Sequence, residues 1–181
     1  MLQGAGAIGT ARGMSVEPDF SLHPDPMLAR TAAQELFERT AADLRRLLPA
    51  SADIRHIGAT AAPGCLTKGD LDIVVRVAAT DFAPADAALA AHFARNTGST
   101  HSETFSAFEN ADTIPHLGVQ LTVIGAPNDF FHTFVEILIR DPEVLAQYNA
   151  LKQKFEGHPM EDYRAAKSAF IARALRTAQC S

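Results

Sequence analysis

The sequence has no tryptophan, only two cysteines and no excess of positive charge. Cys65 and Cys180 are far apart in the chain, and neither belongs to a Cys/His cluster with the spacing of a zinc site, which argues against a disulfide framework and a structural zinc. The formal net charge of -5 argues against general nucleic-acid binding, because that function usually needs a strong basic excess. We therefore expect a cytoplasmic protein whose partners do not include nucleic acid in general.

Long apolar segments are also missing, since no run approaches the roughly 18 residues that a membrane-spanning helix needs. We expect no membrane association. Residues 1–13 are rich in glycine and alanine but lack the apolar core of a signal peptide. They predict a disordered lead, with Met14 as the natural start and residues 14–181 as a single domain. A chain of 181 residues is long enough to build one hydrophobic core unaided.

The spacing of apolar residues predicts one helix, then a sheet with one crossover helix, then three C-terminal helices. The first helix follows the N-cap Asp25 and ends before Pro49. The predicted strands cover residues 53–57, 70–77, 104–108 and 119–124, and the later helices cover residues 83–95, 129–139, 142–155 and 160–177. Because the last two strands are close in sequence, we expect them to pair antiparallel. The predicted fold class is α/β, with a mixed sheet and flanking helices.

The most informative segment is His56-Ile57-Gly58-Ala59-Thr60, followed ten residues later by Asp70-Leu71-Asp72. Carboxylates at positions i and i+2 of a strand lie on the same face. Two unpaired acids at the end of a buried strand repel each other, and a divalent cation is the simplest relief. Mg²⁺ typically binds one or two carboxylates together with substrate phosphates. The pattern predicts a metal-dependent phosphoryl or nucleotidyl transfer site, although Asp-x-Asp also marks ordinary solvated strand ends.

Other candidate residues leave two interpretations open. Lys68 is either a point charge that reaches a phosphate or a solvated loop lysine. His56 is expected to orient the glycine turn by hydrogen bonding and not to perform chemistry. Tyr163 and Lys167, at helical i, i+4 spacing, either line a pocket or only pack between helices.

Two groups of residues resemble the GrpB-like protein family. The first is the His56–Thr60 segment with Pro63-Gly64, Lys68 and Asp72-Ile73. The second is the C-terminal set Asp141-Pro142-Glu143, Leu145-Ala146, Tyr148, Leu151-Lys152, Tyr163, Lys167 and Phe170-Ile171. The two motifs occur in the family's order, and the resemblance runs from about residue 16 to residue 177.

The resemblance implies a nucleotidyltransferase-like fold, because GrpB-like proteins belong by fold to the nucleotidyltransferase superfamily. In that superfamily a Gly-Ser turn holds the triphosphate and two acids on a strand hold metal ions. Gly58, Ala59 and Thr60, assisted by Lys68, are then the expected phosphate-binding residues, and Asp70 and Asp72 the expected catalytic and metal-binding residues. The third acid of the superfamily is missing, because Gln120 stands at the expected position.

Two functions follow from this resemblance. The first is Mg²⁺-dependent transfer of a nucleoside monophosphate from a nucleoside triphosphate to an unknown acceptor. The alternative is an accessory module that binds a nucleotide or another phosphorylated small molecule, has lost catalysis and acts through a protein partner. Gln120 in place of the third acid favours the alternative, because that carboxylate commonly activates the attacking hydroxyl.

Overall fold

The computed structural model describes residues 18–179, and within this range the chain forms one five-stranded mixed sheet. The strands are β1 (Asp53–Ile57), β2 (Leu71–Val77), β3 (Ala94–Arg95), β4 (Phe105–Asn110) and β5 (Leu117–Val123), in the order β1-β2-β5-β4-β3. The central pair, β2 and β5, is parallel, and the other neighbouring pairs are antiparallel. The predicted antiparallel pairing of β4 with β5 is confirmed.

Five α-helices flank the sheet in the described part of the chain: α1 (Pro26–Leu47), α2 (Phe82–Ala90), α3 (Phe131–Arg140), α4 (Pro142–Phe155) and α5 (Met160–Gln179). A short 3₁₀ turn, Ala79–Asp81, precedes α2. The carboxylates of Asp25 and Asp141 accept backbone N–H bonds at the starts of α1 and α4. Because such caps satisfy N–H groups that the helix leaves free, they fix where both helices begin. The predicted α/β fold with three C-terminal helices is confirmed.

The predicted helix over residues 83–95 is wrong at its C-terminal end. α2 ends at Ala90, and Ala94–Arg95 forms the short edge strand β3 beside β4. A run of alanines favours helix at every position, so the sequence carries no local signal for the two-residue strand. Its pairing with Phe108 and Glu109 decides the structure instead. Residues 1–13 and Cys180 lie outside the described residues.

The two faces of β2 pack against different layers. Leu71, Ile73, Val75 and Val77 belong to the main core with residues of α1 and α2. Val74 points to the other face and packs in a second core with residues of α3, α4 and α5. Because side chains alternate along a strand, Asp72 shares the face of Val74 and lies under the C-terminal helices. No helix of residues 18–179 is both long and apolar enough to cross a membrane.

Aromatic rings tie the three C-terminal helices together. Phe134 of α3, Tyr148 of α4 and Phe170 of α5 pack around one another, with ring centroids 5.2 to 6.4 Å apart. Such pairs add to the free energy gained from area burial alone. The second core therefore holds α4 and α5 at a fixed position over the strand that carries Asp72.

A charged cluster fastens the start of α3 to the far end of the same sheet face. Arg76 of β2 donates from Nε to Asp129, 2.5 Å away, and from Nη1 to Asp53, 2.7 Å away. The side chains of Arg76 and Asp129 are only 14% and 6% exposed. Asp129 also accepts the backbone N–H of Gly125. Because Asp129 immediately precedes Phe130 and Phe131, this cluster sets where those two rings lie.

Replacing Arg76 by methionine is expected to lower the free energy of unfolding by about 3 kcal/mol, because it leaves the buried Asp129 carboxylate without its cation. Equilibrium urea unfolding measures this difference. The matched control is Asp43→Ala, which removes an ion pair with Arg46 in which both side chains are more than 70% exposed. The control should cost less than about 1 kcal/mol. Equal effects of the two substitutions would contradict the structural role given to Arg76.

Candidate functional site

The start of β2 faces a narrow polar cleft between the glycine turn and the helices α4 and α5. The cleft encloses about 70 Å³. Its lining residues are Phe20, Ala59, Thr67, Lys68, Asp70, Asp72, Tyr148, Lys152, Tyr163 and Lys167. Four predicted site residues, Ala59, Lys68, Asp70 and Asp72, therefore meet in one place. Of the two interpretations left open for Tyr163 and Lys167, the structure supports the one in which they line a pocket, and it adds Lys152 to the cleft.

Asp72 is held between two glycines, Gly58 in the turn directly after β1 and Gly118 on β5. A Cβ atom placed on Gly58 would lie 2.6 Å from Oδ2 of Asp72, and one on Gly118 would lie 2.9 Å from Oδ1. Neither distance is compatible with a side chain, so glycine at these two positions gives the carboxylate its room. Gly58 also has φ of 77°, a conformation that other residues adopt only with strain. The predicted importance of Gly58 thus has a steric reason in addition to any contact with phosphate.

The Asp72 carboxylate is in an environment that disfavours its charge. Burial raises the pKa of Asp72 above its usual value, and the neighbouring Asp70 raises it further, while Lys167 and Lys68 lower it. The side-chain amide of Gln120 also lowers this pKa by donating a hydrogen bond to Asp72. Asp70 is paired with Lys68, whose Nζ lies 3.0 Å from Oδ2. An added cation between the two acids would stabilise both in their charged form.

The residues fit a cation that is shared with a ligand, and not a cation held by protein alone. Among residues 18–179 no group of three or more His, Cys, Asp or Glu side chains is placed to hold a metal. Asp70 and Asp72 supply the one or two carboxylates with which Mg²⁺ usually completes its shell through substrate phosphates. Next to them, Oε1 of Gln120 is buried and has no hydrogen-bond partner. The amide of Gln120 presents its nitrogen, and not this oxygen, to Asp72.

Thr60 connects the glycine turn to β2. Its hydroxyl donates to the backbone carbonyl of Asp70, 3.0 Å away, and its oxygen lies 3.0 Å from Nε2 of His56. Thr60 is almost fully buried, and Arg30 donates to its carbonyl from the side of α1. The hydroxyl is therefore occupied by the protein itself, and Thr60, a predicted phosphate-binding residue, is not among the residues that line the polar cleft. His56 has the orienting position expected from the sequence.

Lys152 is the least expected residue of the polar cleft, because its side chain is only 1% exposed. Its ammonium donates to the carbonyl of Leu66 and lies 3.1 Å from Sγ of Cys65. It also lies 4.2 Å from the centre of the Tyr148 ring. Burial lowers the pKa of Lys152 from 10.5 to about 8. The carbonyl, the thiol and the ring compensate this buried ammonium only with neutral groups, and Lys152 is one of the residues that line the cleft.

Two tyrosines complete the wall opposite Asp72. The hydroxyl of Tyr148 donates to that of Tyr163, and burial raises the pKa of Tyr163 to about 12. Phe20 stacks on the Tyr163 ring with centroids 3.7 Å apart. A repeated spacing in the sequence indicates this wall, because Tyr148 and Lys152 in α4, and Tyr163 and Lys167 in α5, are both at i, i+4. The sequence alone does not show that both pairs face β2.

An aromatic pocket of about 100 Å³ adjoins the polar cleft. Its lining residues are Ile57, Gly58, Asp72, Phe130, Phe131, Phe134, Tyr148, Lys167 and Ile171. Asp72, Tyr148 and Lys167 line both spaces, so the two form adjacent compartments of one site. The sequence alone does not reveal this pocket, because the spacing of Phe130, Phe131 and Phe134 is equally typical of a hydrophobic core.

Substituting Gly58 by alanine is expected to destabilise the protein more than substituting Gly157. Both glycines have positive φ, 77° and 75°, but an added Cβ on Gly157 meets nothing within 4 Å. Gly157→Ala should therefore show only the backbone cost, about 1 kcal/mol. Gly58→Ala carries the same cost plus displacement of Asp72. Thermal unfolding of the two variants measures the difference, and equal losses would show that the Asp72 contact is unimportant.

The stability of the protein is expected to rise between pH 8 and pH 10.5 because of Lys152. The folded pKa is about 8 and the ordinary value is 10.5, so in this window the unfolded chain holds a proton that the folded chain has released. The destabilisation by buried charge, about 3 kcal/mol by this shift, is complete below pH 8 and disappears as pH rises. Urea unfolding of wild type and Lys152→Met across this range checks it. The control Lys154→Met, at an exposed position of α4, should retain the wild-type pH dependence.

Comparisons with known proteins agree with this architecture. A family model described as GrpB protein matches residues 29–177. A UPF0157 protein from Vibrio cholerae is 31% identical over 147 residues, which cover 81% of this chain and 77% of the relative.

Solved structures give two further likenesses. The crystal structure of the conserved protein GrpB from Enterococcus faecalis matches with a TM-score of 0.65 and 21% identity, covering 82% of this chain and 95% of that one. The Cid1 poly(U) polymerase with MgGTP bound matches with a TM-score of 0.47 and 11% identity, covering 68% of this chain and 40% of that one. From the family model and the relative from Vibrio cholerae it follows that this chain belongs to the GrpB family.

Proposed function

We propose that the polar cleft binds a nucleoside triphosphate with Mg²⁺, and that the protein transfers the nucleoside monophosphate to an acceptor. The observation that carries this proposal is the convergence of two acids, Asp70 and Asp72, with three lysines on one cleft. Lysines at this density next to acids suit a ligand that brings both negative phosphates and a cation. The adjoining aromatic pocket offers space for the part of the ligand that is not phosphate.

The lysines approach the cleft from different elements, which suits a chain of phosphates better than a single small anion. Lys68 belongs to the loop before β2, Lys152 to α4 and Lys167 to α5. An ammonium group serves phosphate oxygens as a mobile point charge. When a cation binds Asp70, Lys68 is released from its ion pair and becomes free to contact phosphate. Backbone N–H groups of the turn at Gly58 and Ala59 are the remaining donors that we assign to phosphate.

In the transfer itself, an acceptor oxygen forms a bond to the α-phosphorus while the bond from that phosphorus to the bridging oxygen breaks. Pyrophosphate leaves, and the acceptor's proton passes to solvent. A bound Mg²⁺ supplies neutralisation of the charge that develops on the phosphate oxygens. Asp72, fixed between Gly58 and Gly118, and Asp70 hold that cation. The lysines bind the departing pyrophosphate, and the helices α4 and α5 limit access of water.

A second candidate function is a phospholigand-binding module without catalysis, and Gln120 favours it. In place of the third carboxylate, this residue presents an amide that donates to Asp72. An amide does not take a proton from an attacking hydroxyl as a carboxylate does. On this alternative the same cleft binds its ligand without any reaction, and the module acts through a protein partner.

The experiment that tests the proposal is a thermal shift assay with each nucleoside triphosphate, in the presence and absence of Mg²⁺. A ligand at about 100 times its Kd stabilises the folded state by about 2.7 kcal/mol. Asp72→Asn should lose the Mg²⁺-dependent part of this shift, because it keeps the shape of the side chain and removes its charge. The control Asp112→Asn changes an exposed acid in the turn between β4 and β5 and should keep it.

Product analysis separates the two candidate functions. Release of pyrophosphate during incubation with a small-molecule cell extract as acceptor source supports transfer, and Asp72→Asn should abolish it. Saturable nucleotide binding without pyrophosphate release supports the binding module. A protein that shows no shift with any nucleotide contradicts nucleotidyl transfer, and it favours either a module for another phosphorylated ligand or a scaffold that acts through protein contacts alone.

A further inference from the structure

The aromatic pocket has few side chains that are able to form hydrogen bonds with a ligand. Six of its lining residues are glycine or carry apolar side chains: Ile57, Gly58, Phe130, Phe131, Phe134 and Ile171. The three polar members, Asp72, Tyr148 and Lys167, all line the polar cleft as well. They therefore lie at the border between the compartments, on the side that faces the phosphates.

These three polar residues are also already engaged. Asp72 accepts from the Gln120 amide and is electrostatically coupled to Lys167. The Tyr148 hydroxyl donates to Tyr163. A base placed deeper in the pocket thus meets mainly ring faces and aliphatic carbons.

The rings that form the pocket are placed for stacking. Phe130 and Phe131 stack on each other with centroids 4.5 Å apart, and Phe131 also stacks on Phe105 at 6.0 Å. Both Phe130 and Phe131 remain partly exposed, whereas Phe134 behind them is buried. The ion pair between Arg76 and Asp129 fixes the backbone just before them. An aromatic surface fixed in this way and left partly uncovered is suited to a flat ligand ring.

We propose that the aromatic pocket takes the base of the nucleotide and does not distinguish bases of equal size, because it binds the ring by stacking and not by its hydrogen-bonding edge. This inference rests on the proposed function. Stacking is tolerant of base identity, since every base has a π face. A site that makes hydrogen bonds to its substrate rejects an analogue strongly, whereas an apolar pocket discriminates poorly between ligands of equal shape.

The test compares ligands that differ in hydrogen bonding but not in size. ATP and GTP form one pair and CTP and UTP the other, and inorganic triphosphate represents the phosphates alone. Isothermal titration calorimetry with Mg²⁺ gives the Kd of each. Within each pair we expect the Kd values to agree within about tenfold, and inorganic triphosphate to bind at least tenfold more weakly than any of the four nucleotides.

Phe131→Leu separates stacking from phosphate binding, because it keeps an apolar side chain and removes the ring. It should weaken all four nucleotides by a similar factor, about tenfold, and leave inorganic triphosphate unchanged, which also shows that the variant is folded. Phe130→Leu is the second variant if Phe131→Leu fails to fold. The control Phe93→Leu alters a partly buried ring that packs against the other face of the sheet and should change no Kd.

The outcomes distinguish this inference from the proposed function. A preference of more than about a hundredfold within either pair would show that the base edge is read and would overturn the inference alone. Inorganic triphosphate binding as tightly as the nucleotides would do the same, because the pocket would then contribute nothing. If none of the five ligands binds, the proposed function fails and the inference fails with it.

Discussion

The rest of the site depends on the confinement of one carboxylate, that of Asp72, between the backbone of the glycine turn after β1 and the backbone of β5. Gly58 and Gly118 leave just enough room for it, and the helices α4 and α5 cover it from above. In that environment its negative charge is disfavoured, so its surroundings must supply positive charge. The lysines from the loop and from both helices do this in part. On the proposed function, a cation that arrives with a phosphorylated ligand would complete the compensation.

The sequence predicts the parts of this arrangement that have a local cause. The cap at Asp25, the buried strand after Asp70 and the three C-terminal helices follow from the spacing of apolar residues and from local signals such as proline. The end of α2 and the existence of β3 do not, because two exposed residues become a strand only through pairing with β4. Helix and strand propensities are local properties, so they carry no information about a pairing strand that lies elsewhere in the chain.

The same distinction applies to the site. Asp70, Asp72 and Lys68 lie within a few residues of one another, so their proximity is visible in the sequence. Lys152 and Lys167 reach the same cleft from helices that are far away in the chain, and only the packing of the second core places them there. Gly118 has no motif that marks it, because its role is to leave space for a side chain of another strand. Tertiary contacts of this kind cannot be predicted from the spacing of residues that are close in sequence.

The distribution of the cleft over the whole chain has a consequence for the order of events during synthesis. Asp72 leaves the ribosome early, whereas Lys167 and Tyr163 belong to the last helix. Contacts between residues far apart in sequence form only after the intervening chain is available, and they form late. A nascent or truncated chain that lacks α5 therefore has the glycine turn and both acids but no closed cleft. On the proposed function, ligand binding by this protein would then report that α5 has been made and has packed against the rest of the fold.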